Sequence, residues 1–297
     1  MLNFIKRHFP KKSKLKLVMT LLVKNESHLI ENNLIFHKQM GVDGFIVTDN
    51  KSTDGTRQIL EKYVNKGWIY EIIDEPSQDY RQSEWVDRMI NVATRVYLAD
   101  WVINSDADEF WHSKSHDLKK ALTKTKANVI KCYWKNMVPV TEEQTFWKNR
   151  YVVKKILKET GEYDLSKWNI YDFKYHKVIH RTRGYIKIAA GNHNVEIDNK
   201  INQKSNDVSI YHYSTQNYEQ FKRKVITGGE ALSRNAISKQ ETGSHWRYFY
   251  ECYKAGKLYE EYERMIGRKY HVEFIKKGIL KEDKTIYDYF INQEQIN

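Results

Sequence analysis

The chain has 297 residues, 40% hydrophobic and 13% aromatic, enough to bury a sizeable core and to exclude an intrinsically disordered protein. Its 50 basic and 38 acidic residues leave a net charge of +12, with the two signs interleaved along the whole length. No nucleic-acid-binding motif accompanies that charge, so phosphate-rich ligands or an anionic membrane surface are the expected partners rather than nucleic acid. The two cysteines, Cys132 and Cys252, exclude a disulfide framework and suit a reducing compartment. Cys132 lies in a strand-like run, where a buried structural thiol is expected.

Residues 1–16 are basic, with Lys6, Arg7, Lys11, Lys12, Lys14 and Lys16 around Leu2, Phe4, Ile5 and Phe9. They lack the apolar stretch of a secretion signal, and no run of 18 apolar residues occurs anywhere. Such a segment can rest on an anionic leaflet or remain a solvated tail. From Leu15 to Val23 a continuous apolar run predicts a strand buried on both faces. Ser27 is a candidate cap for a helix carrying Ile30 and Leu34, and residues 44–48 read as the second strand. Ser52 or Thr53 can cap a helix bearing Ile59, Leu60, Tyr63 and Val64, closed by Gly67. A third strand is expected over 68–73, a helix over 83–98 with the stripe Trp85, Met89, Val92 and Val96, and a short strand at 101–103. That order, βαβαβαβ, predicts an α/β fold with a mostly parallel sheet flanked by helices.

The second half is less regular. Strands are expected at 129–134, 151–156, 177–181, 185–189 and 208–213. From Tyr218 the pattern turns helical, with Phe221, Val225 and Ile226, followed by an aromatic stripe of Trp246, Phe249, Tyr250 and Tyr253 that reads as core. The expected divisions are a basic segment at 1–16, two halves of the main α/β region at 17–115 and 116–230, and a helical extension at 231–297.

Ligands of such sheets bind beyond the carboxyl ends of the strands. The polar clusters of this sequence fall there: Lys24-Asn-Glu26, Asp49-Asn50 and Asp106 to Glu109. Asp106-Ala-Asp108 puts two carboxylates on one turn, where they can meet Mg²⁺ or Mn²⁺ through oxygen and so bridge a diphosphate. The plain alternative is a solvated turn. The buried-type neighbours on both sides, Trp101-Val-Ile103 and Glu109-Phe-Trp111, favour the cation reading, and they leave the turn itself polar and exposed. Asp49 can accept from a base or ribose, whereas Asp54 either contacts the ligand or stabilises the helix that follows it. Arg81 and Arg88 are candidates for phosphate.

Together, Val23-Lys-Asn-Glu26, Thr48-Asp-Asn-Lys-Ser-Thr-Asp-Gly-Thr56 and Ala99-Asp-Trp-Val-Ile-Asn-Ser-Asp-Ala-Asp-Glu-Phe110 resemble the successive signatures of family 2-like glycosyltransferases. Ile210-Tyr-His-Tyr-Ser214, with Glu219, Phe221 and Lys222, resembles the downstream segment of the same branch. The resemblance covers about residues 17–230. It implies a GT-A fold, a nucleoside-diphosphate sugar (UDP most often), a divalent cation and inversion at the anomeric carbon. It also implies that Lys24, Asn25 and Glu26 border the nucleotide, Asp49 and Asn50 the base and ribose, and Asp106 and Asp108 the metal and diphosphate. A late histidine would complete the metal shell, with His193 preferred to His212. Candidates for the base are Glu109, Glu162, Asp164, Glu196 and Asp198, and the catalytic residues expected are Asp108 and Glu109. The expected activity is transfer to a saccharide or lipid-linked acceptor in surface polysaccharide or lipopolysaccharide synthesis, in the cytoplasm or peripherally on the inner face of the membrane. The rivals are a nucleotidyltransferase, whose glycine-rich phosphate loop is absent after the first strand, and a basic membrane- or nucleic-acid-binding module.

Overall fold

A computed structural model describes residues 15–77, 81–123, 125–141, 143, 145–157, 161–172, 175–234 and 243–295. The basic segment 1–16 lies outside them except for its last two residues. In chain order the first half runs β1 (Leu17–Val23), α1 (Ile30–Gln39), β2 (Gly44–Asp49), α2 (Thr56–Asn65), β3 (Ile69–Asp74), α3 (Gln82–Arg95), β4 (Trp101–Ser105), β5 (Glu109–Ser113) and α4 (Leu118–Thr123). The second runs β6 (Val129–Val138), β7 (Tyr151–Val153), β8 (His176–Arg181), β9 (Tyr185–Ile188), β10 (Val195–Ile197), β11 (Asn202–Lys204) and β12 (Val208–His212). It ends with α5 (Tyr218–Arg234), α6 (Ser244–Lys254), α7 (Leu258–Ile266), α8 (His271–Lys276), β13 (Leu280–Glu282) and α9 (Thr285–Glu294).

The main sheet has the order β13-β7-β6-β8-β4-β1-β2-β3. β3, β2, β1 and β4 are mutually parallel, the doubly wound arrangement expected of alternating strands and helices. From β4 outward, β8, β6, β7 and β13 continue in antiparallel pairs. The expected α/β, GT-A-type layout of a mostly parallel sheet with a helical C-terminal section agrees with this architecture.

The alternation of β1 explains its unbroken apolar run. Leu17, Met19, Leu21 and Val23 enter a core shared with α1 and α2 residues such as Leu34 and Leu60, while Val18 enters a second core with Met89 and Ile90 of α3. A strand covered on both faces has no solvent side and needs no polar alternation. The expected stripe on α3 holds at Trp85 and Met89 but ends early, because Val96 lies past the helix and is 62% exposed.

Two helix starts differ from expectation. α1 and α2 begin after Leu29 and Gly55 with no side-chain cap; Ser27, Ser52 and Thr53 lie before those cap positions, where the Ser27 and Thr53 N–H groups and the Ser52 hydroxyl tie the two loops together. A third core holds Phe221, Val225, Phe249, Tyr262 and Phe274 of the C-terminal helices. α5 and α6 meet closely there: a Cβ on Gly229 would fall 2.2 Å from the Tyr250 ring. α9 returns to the first core, where Phe290 stacks among Phe36, Phe110, Phe146 and Trp147. Among the described residues no helix is long and apolar enough to cross a membrane.

The short β5 decides the geometry of the site. It follows the Asp106–Asp108 turn and pairs antiparallel with β12, putting His212 opposite Glu109. β12 also runs parallel to β6, with His212 beside Asn136.

Candidate functional site

β2 lies on one side of β1 and β4 on the other, so the strand order reverses at β1, where sheets of this kind place the ligand crevice, beyond the carboxyl ends of β1 and β4. Loop 24–27 and the turn 106–108 line it. Loop 24–27 is tied to loop 50–56 by a set of hydrogen bonds. Asn25 takes a left-handed φ of 58° and accepts from the Thr53 N–H at 2.7 Å, while its own N–H donates to Ser52 Oγ at 3.0 Å. The Glu26 N–H donates to Thr56 Oγ1 at 2.8 Å, and Asp54 accepts from the Ser27 and Thr56 N–H groups at 3.1 Å each. Asp54 thus links the two loops and also accepts from Thr56, the first residue of α2.

Asn50 donates to the Glu75 and Ser77 carbonyls at 3.1 and 2.6 Å, fastening the end of β2 to the segment after β3. Asp49 accepts from the Ser52 N–H at 3.0 Å, and its other oxygen lies 3.9 Å from Arg57 Nη1. Glu26 turns into the crevice. One of its oxygens, Oε2, is buried without a hydrogen-bond partner and lies 3.9 Å from His28 Nε2. Burial pushes the Glu26 carboxyl up to about 7 against the pull of Lys224, with Asp108 and Asp106 adding to the rise.

The turn after β4 is organised from below by Glu109, which is fully buried. Its Oε1 accepts from Trp134 Nε1 at 2.9 Å and pairs with Lys177 Nζ at 2.9 Å. Its Oε2 accepts from the Asp106 N–H at 3.2 Å and from Ser105 Oγ at 3.3 Å. Lys177, 1% exposed, also pairs with Asp106 Oδ2 at 2.6 Å. Burial pushes the Glu109 carboxyl above its usual range, with Lys177 opposing and the two aspartates assisting. Burial works against the Lys177 ammonium, yet Asp106 and Glu109 hold it protonated above its usual range. Both Glu109 oxygens are occupied inside the protein, which argues against the catalytic role expected of it and for that of a turn anchor.

Asp108 is 7% exposed rather than on an open turn. Its Oδ2 accepts from Lys224 Nζ at 2.6 Å, and Oδ1 lies 3.8 Å from His212 Nε2. Burial alone would raise the Asp108 carboxyl, but Lys224, His212 and Lys177 hold it at about 2. His212 stacks on Trp134, centroids 4.1 Å apart, and its Nδ1 lies 3.4 Å from Asn136 Oδ1. Burial lowers His212 to about 4, against Asp108, so the ring is neutral at neutral pH. The tautomer that donates Nδ1–H to Asn136 leaves Nε2 a bare lone pair facing the Asp108 carboxylate. In that tautomer the Nε2 lone pair and the Asp108 carboxylate, with Asp106 nearby in the turn, would suit a hard divalent cation. Among the described residues no three His, Cys, Asp or Glu side chains already form a metal-binding cluster, and Lys224 holds the Asp108 oxygen that such an ion would share.

His193 stands further back. Its Nδ1 hydrogen-bonds the His176 carbonyl at 2.8 Å, and its ring stacks on Tyr175 and meets the edge of Trp134. His212 is the ring set beside the Asp108 carboxylate, while His193 lies in the fields of Lys177 and Asp106. Arg88 pairs with buried Glu75 at 2.7 Å, and Arg81, half-exposed before α3, lies 3.8 Å from Glu84. Glu162 and Asp164 pair with Lys277 and Arg264 at the C-terminal helices, and Glu196 and Asp198 lie exposed in and after β10. None of these four contacts the turn.

Lys177, Lys224, His28 and Trp134 escaped the sequence reading. The signal for Lys177 was a lysine placed directly before the apolar pair Val178 and Ile179, inside a strand whose interior is buried. For the α5 lysine the segment was identified, but Lys222 was singled out where Lys224 reaches the turn.

A family model described as Glycosyl transferase family 2 matches residues 23–240. No curated protein matches the sequence. Among solved structures, S. aureus TarS 1–349 is similar at 16% identity, with 88% of this chain and 74% of that chain covered and a TM-score of 0.42. The same protein in complex with UDP is similar at 17% identity, with the same coverage and a TM-score of 0.41. A mannosyltransferase from Pyrobaculum calidifontis in complex with GDP-Man and Mn²⁺ is similar at 12% identity, covering 83% of this chain and 73% of that chain, with a TM-score of 0.43.

Proposed function

The chain belongs to glycosyl transferase family 2 and is a glycosyltransferase, and from that premise we propose that it moves a sugar from a nucleoside-diphosphate donor, UDP first among them, to a saccharide or lipid-linked acceptor with inversion. The observation that carries the reading is the pair of carboxylates, Asp106 and Asp108, at the crevice where the strand order reverses, beside the polar loop after β1. Asp106, Asp108 and His212 would hold a divalent cation, Mn²⁺ or Mg²⁺, which when bound supplies positive charge to the leaving diphosphate. Glu26 borders the nucleotide beneath Lys24 and Asn25, Asp49 lies toward the base and ribose, and Glu109 with Lys177 keeps the turn in place. In the reaction the acceptor hydroxyl oxygen bonds to the anomeric carbon and its proton passes to a base. The bond from that carbon to the diphosphate oxygen breaks, and the nucleoside diphosphate departs. The surplus of 12 positive charges suits acceptors carried on an anionic membrane, in surface polysaccharide or lipopolysaccharide synthesis.

The test is mass spectrometry of the purified protein with a panel of nucleotide sugars and Mn²⁺. Slow hydrolysis of one donor, releasing its sugar and nucleoside diphosphate, is the expected result. A folded protein that consumes no donor and binds no nucleoside diphosphate would overturn the proposal.

The metal shell makes a separate prediction. His212→Ala should weaken Mn²⁺ binding by calorimetry at least ~10-fold, within the range for lost metal-site contacts, and lower donor hydrolysis in step. His193→Ala should change either quantity less than about threefold, as it removes one ring from the Trp134–Tyr175 stack. The opposite ranking would return the third position to His193.

A further inference from the structure

We propose that Lys224 is the residue that takes hold of the donor's diphosphate, exchanging its ion pair with Asp108 for the phosphate oxygens when substrate enters; this rests on the donor reading above. Three elements converge on its ammonium. α5 carries it, the turn after β4 offers Asp108 Oδ2 at 2.6 Å, and Glu26 from the loop after β1 acts on it through the field of its carboxyl. That convergence lies in the same crevice as the two carboxylates proposed for the cation.

The two lysines of the site differ in what they are free to do. Lys177 lies between two carboxylates, Asp106 and Glu109, and is 1% exposed, so leaving would strand both. Lys224 has one close carboxylate and a side chain 21% exposed, on a long flexible stem at the edge of the crevice. Ligation of Asp108 to a divalent cation would end its need for Lys224. An ammonium released in a half-buried crevice must find another anion, and the diphosphate that accompanies the cation is the anion delivered there.

The experiment is calorimetric binding, with Mn²⁺ present, of UDP, GDP, CDP and dTDP, each against its own monophosphate, to wild type, Lys224→Met and Lys224→Gln. For the diphosphate that wild type binds best, Lys224→Met should lose at least ~10-fold in affinity while the matching monophosphate changes less than about threefold. Lys224→Gln can still donate to Asp108 and so preserves the turn, yet it should lose the same preference for the diphosphate. A purely structural lysine would move both nucleotides alike, or neither in the glutamine variant, and either pattern would overturn the assignment. Should wild type bind none of the four diphosphates, the donor reading itself falls and Lys224 with it. Retention of the diphosphate preference by both variants overturns Lys224 alone.

Discussion

Asp108→Asn should lower donor hydrolysis and transfer by roughly 10²–10³-fold, the scale on which the loss of one preorganised electrostatic contact at a developing charge is felt. The substitution keeps the shape of the side chain and removes its charge. It leaves Lys224 facing an amide oxygen at the position where the carboxylate accepted at 2.6 Å, and it takes the anionic partner from His212. The turn is not the open, solvated one that its composition suggests. Asp108 is 7% exposed, so the variant also costs stability, about 1–3 kcal/mol for a charged group left poorly paired. Rates measured on the folded fraction, with a thermal melt alongside, separate the two effects. A folded Asp108→Asn protein that keeps more than about a tenth of wild-type hydrolysis would remove Asp108 from the cation site.

The largest effect on stability is expected from Lys177→Met. Its ammonium is the buried counter-charge of Asp106 and Glu109, at 2.6 and 2.9 Å. Removing one partner of a buried ion pair costs about 3–5 kcal/mol, because the remaining charge can neither hydrate nor find another partner. On a chain of this size that corresponds to a melting temperature lowered by about 10 °C. Asp106 is partly exposed and can rehydrate, whereas Glu109 cannot and must take up a proton; its carboxyl is already pushed up by burial. Adding Glu109→Gln should therefore restore part of the loss, a rescue that independent sites would not show. Calorimetric melts of the two single variants and the double variant measure this directly. A Lys177→Met protein melting within about 2 °C of wild type would mean that the pair contributes little.

The parallel half of the fold was legible because local physics dictates it. A strand covered by helices on both faces must be apolar throughout, as Leu17–Val23 is, and a helix on a sheet must repeat its apolar face every turn, as Trp85 and Met89 do. Parallel strands require crossovers, so the alternation of patterns determined that the carboxyl ends share one rim, and with it the neighbourhood of Glu26 and Asp106–Asp108. The sequence by itself therefore determined the fold class, the rim and the acidic turn.

Tertiary structure alone decided which side chains complete that turn. Lys177 approaches it from β8, 71 residues after Asp106, and Lys224 from α5, 116 residues after Asp108; no periodicity links such positions. Lys222 and Lys224 are equally basic in the sequence, and only the phase of α5 against the turn distinguishes them. The sequence favours His193 over His212, but the pairing of β12 with β5 and β6 sets His212 against Asp108, while His193 is bound to the His176 carbonyl. Glu109 reads as one more acid beside two aspartates. Its role as an anchor arises from burial, which makes an unpaired carboxylate so costly that Lys177, Trp134 and the Asp106 N–H must all meet it. Ion pairs between distant segments depend on the packing of whole layers, a property that no window of sequence contains.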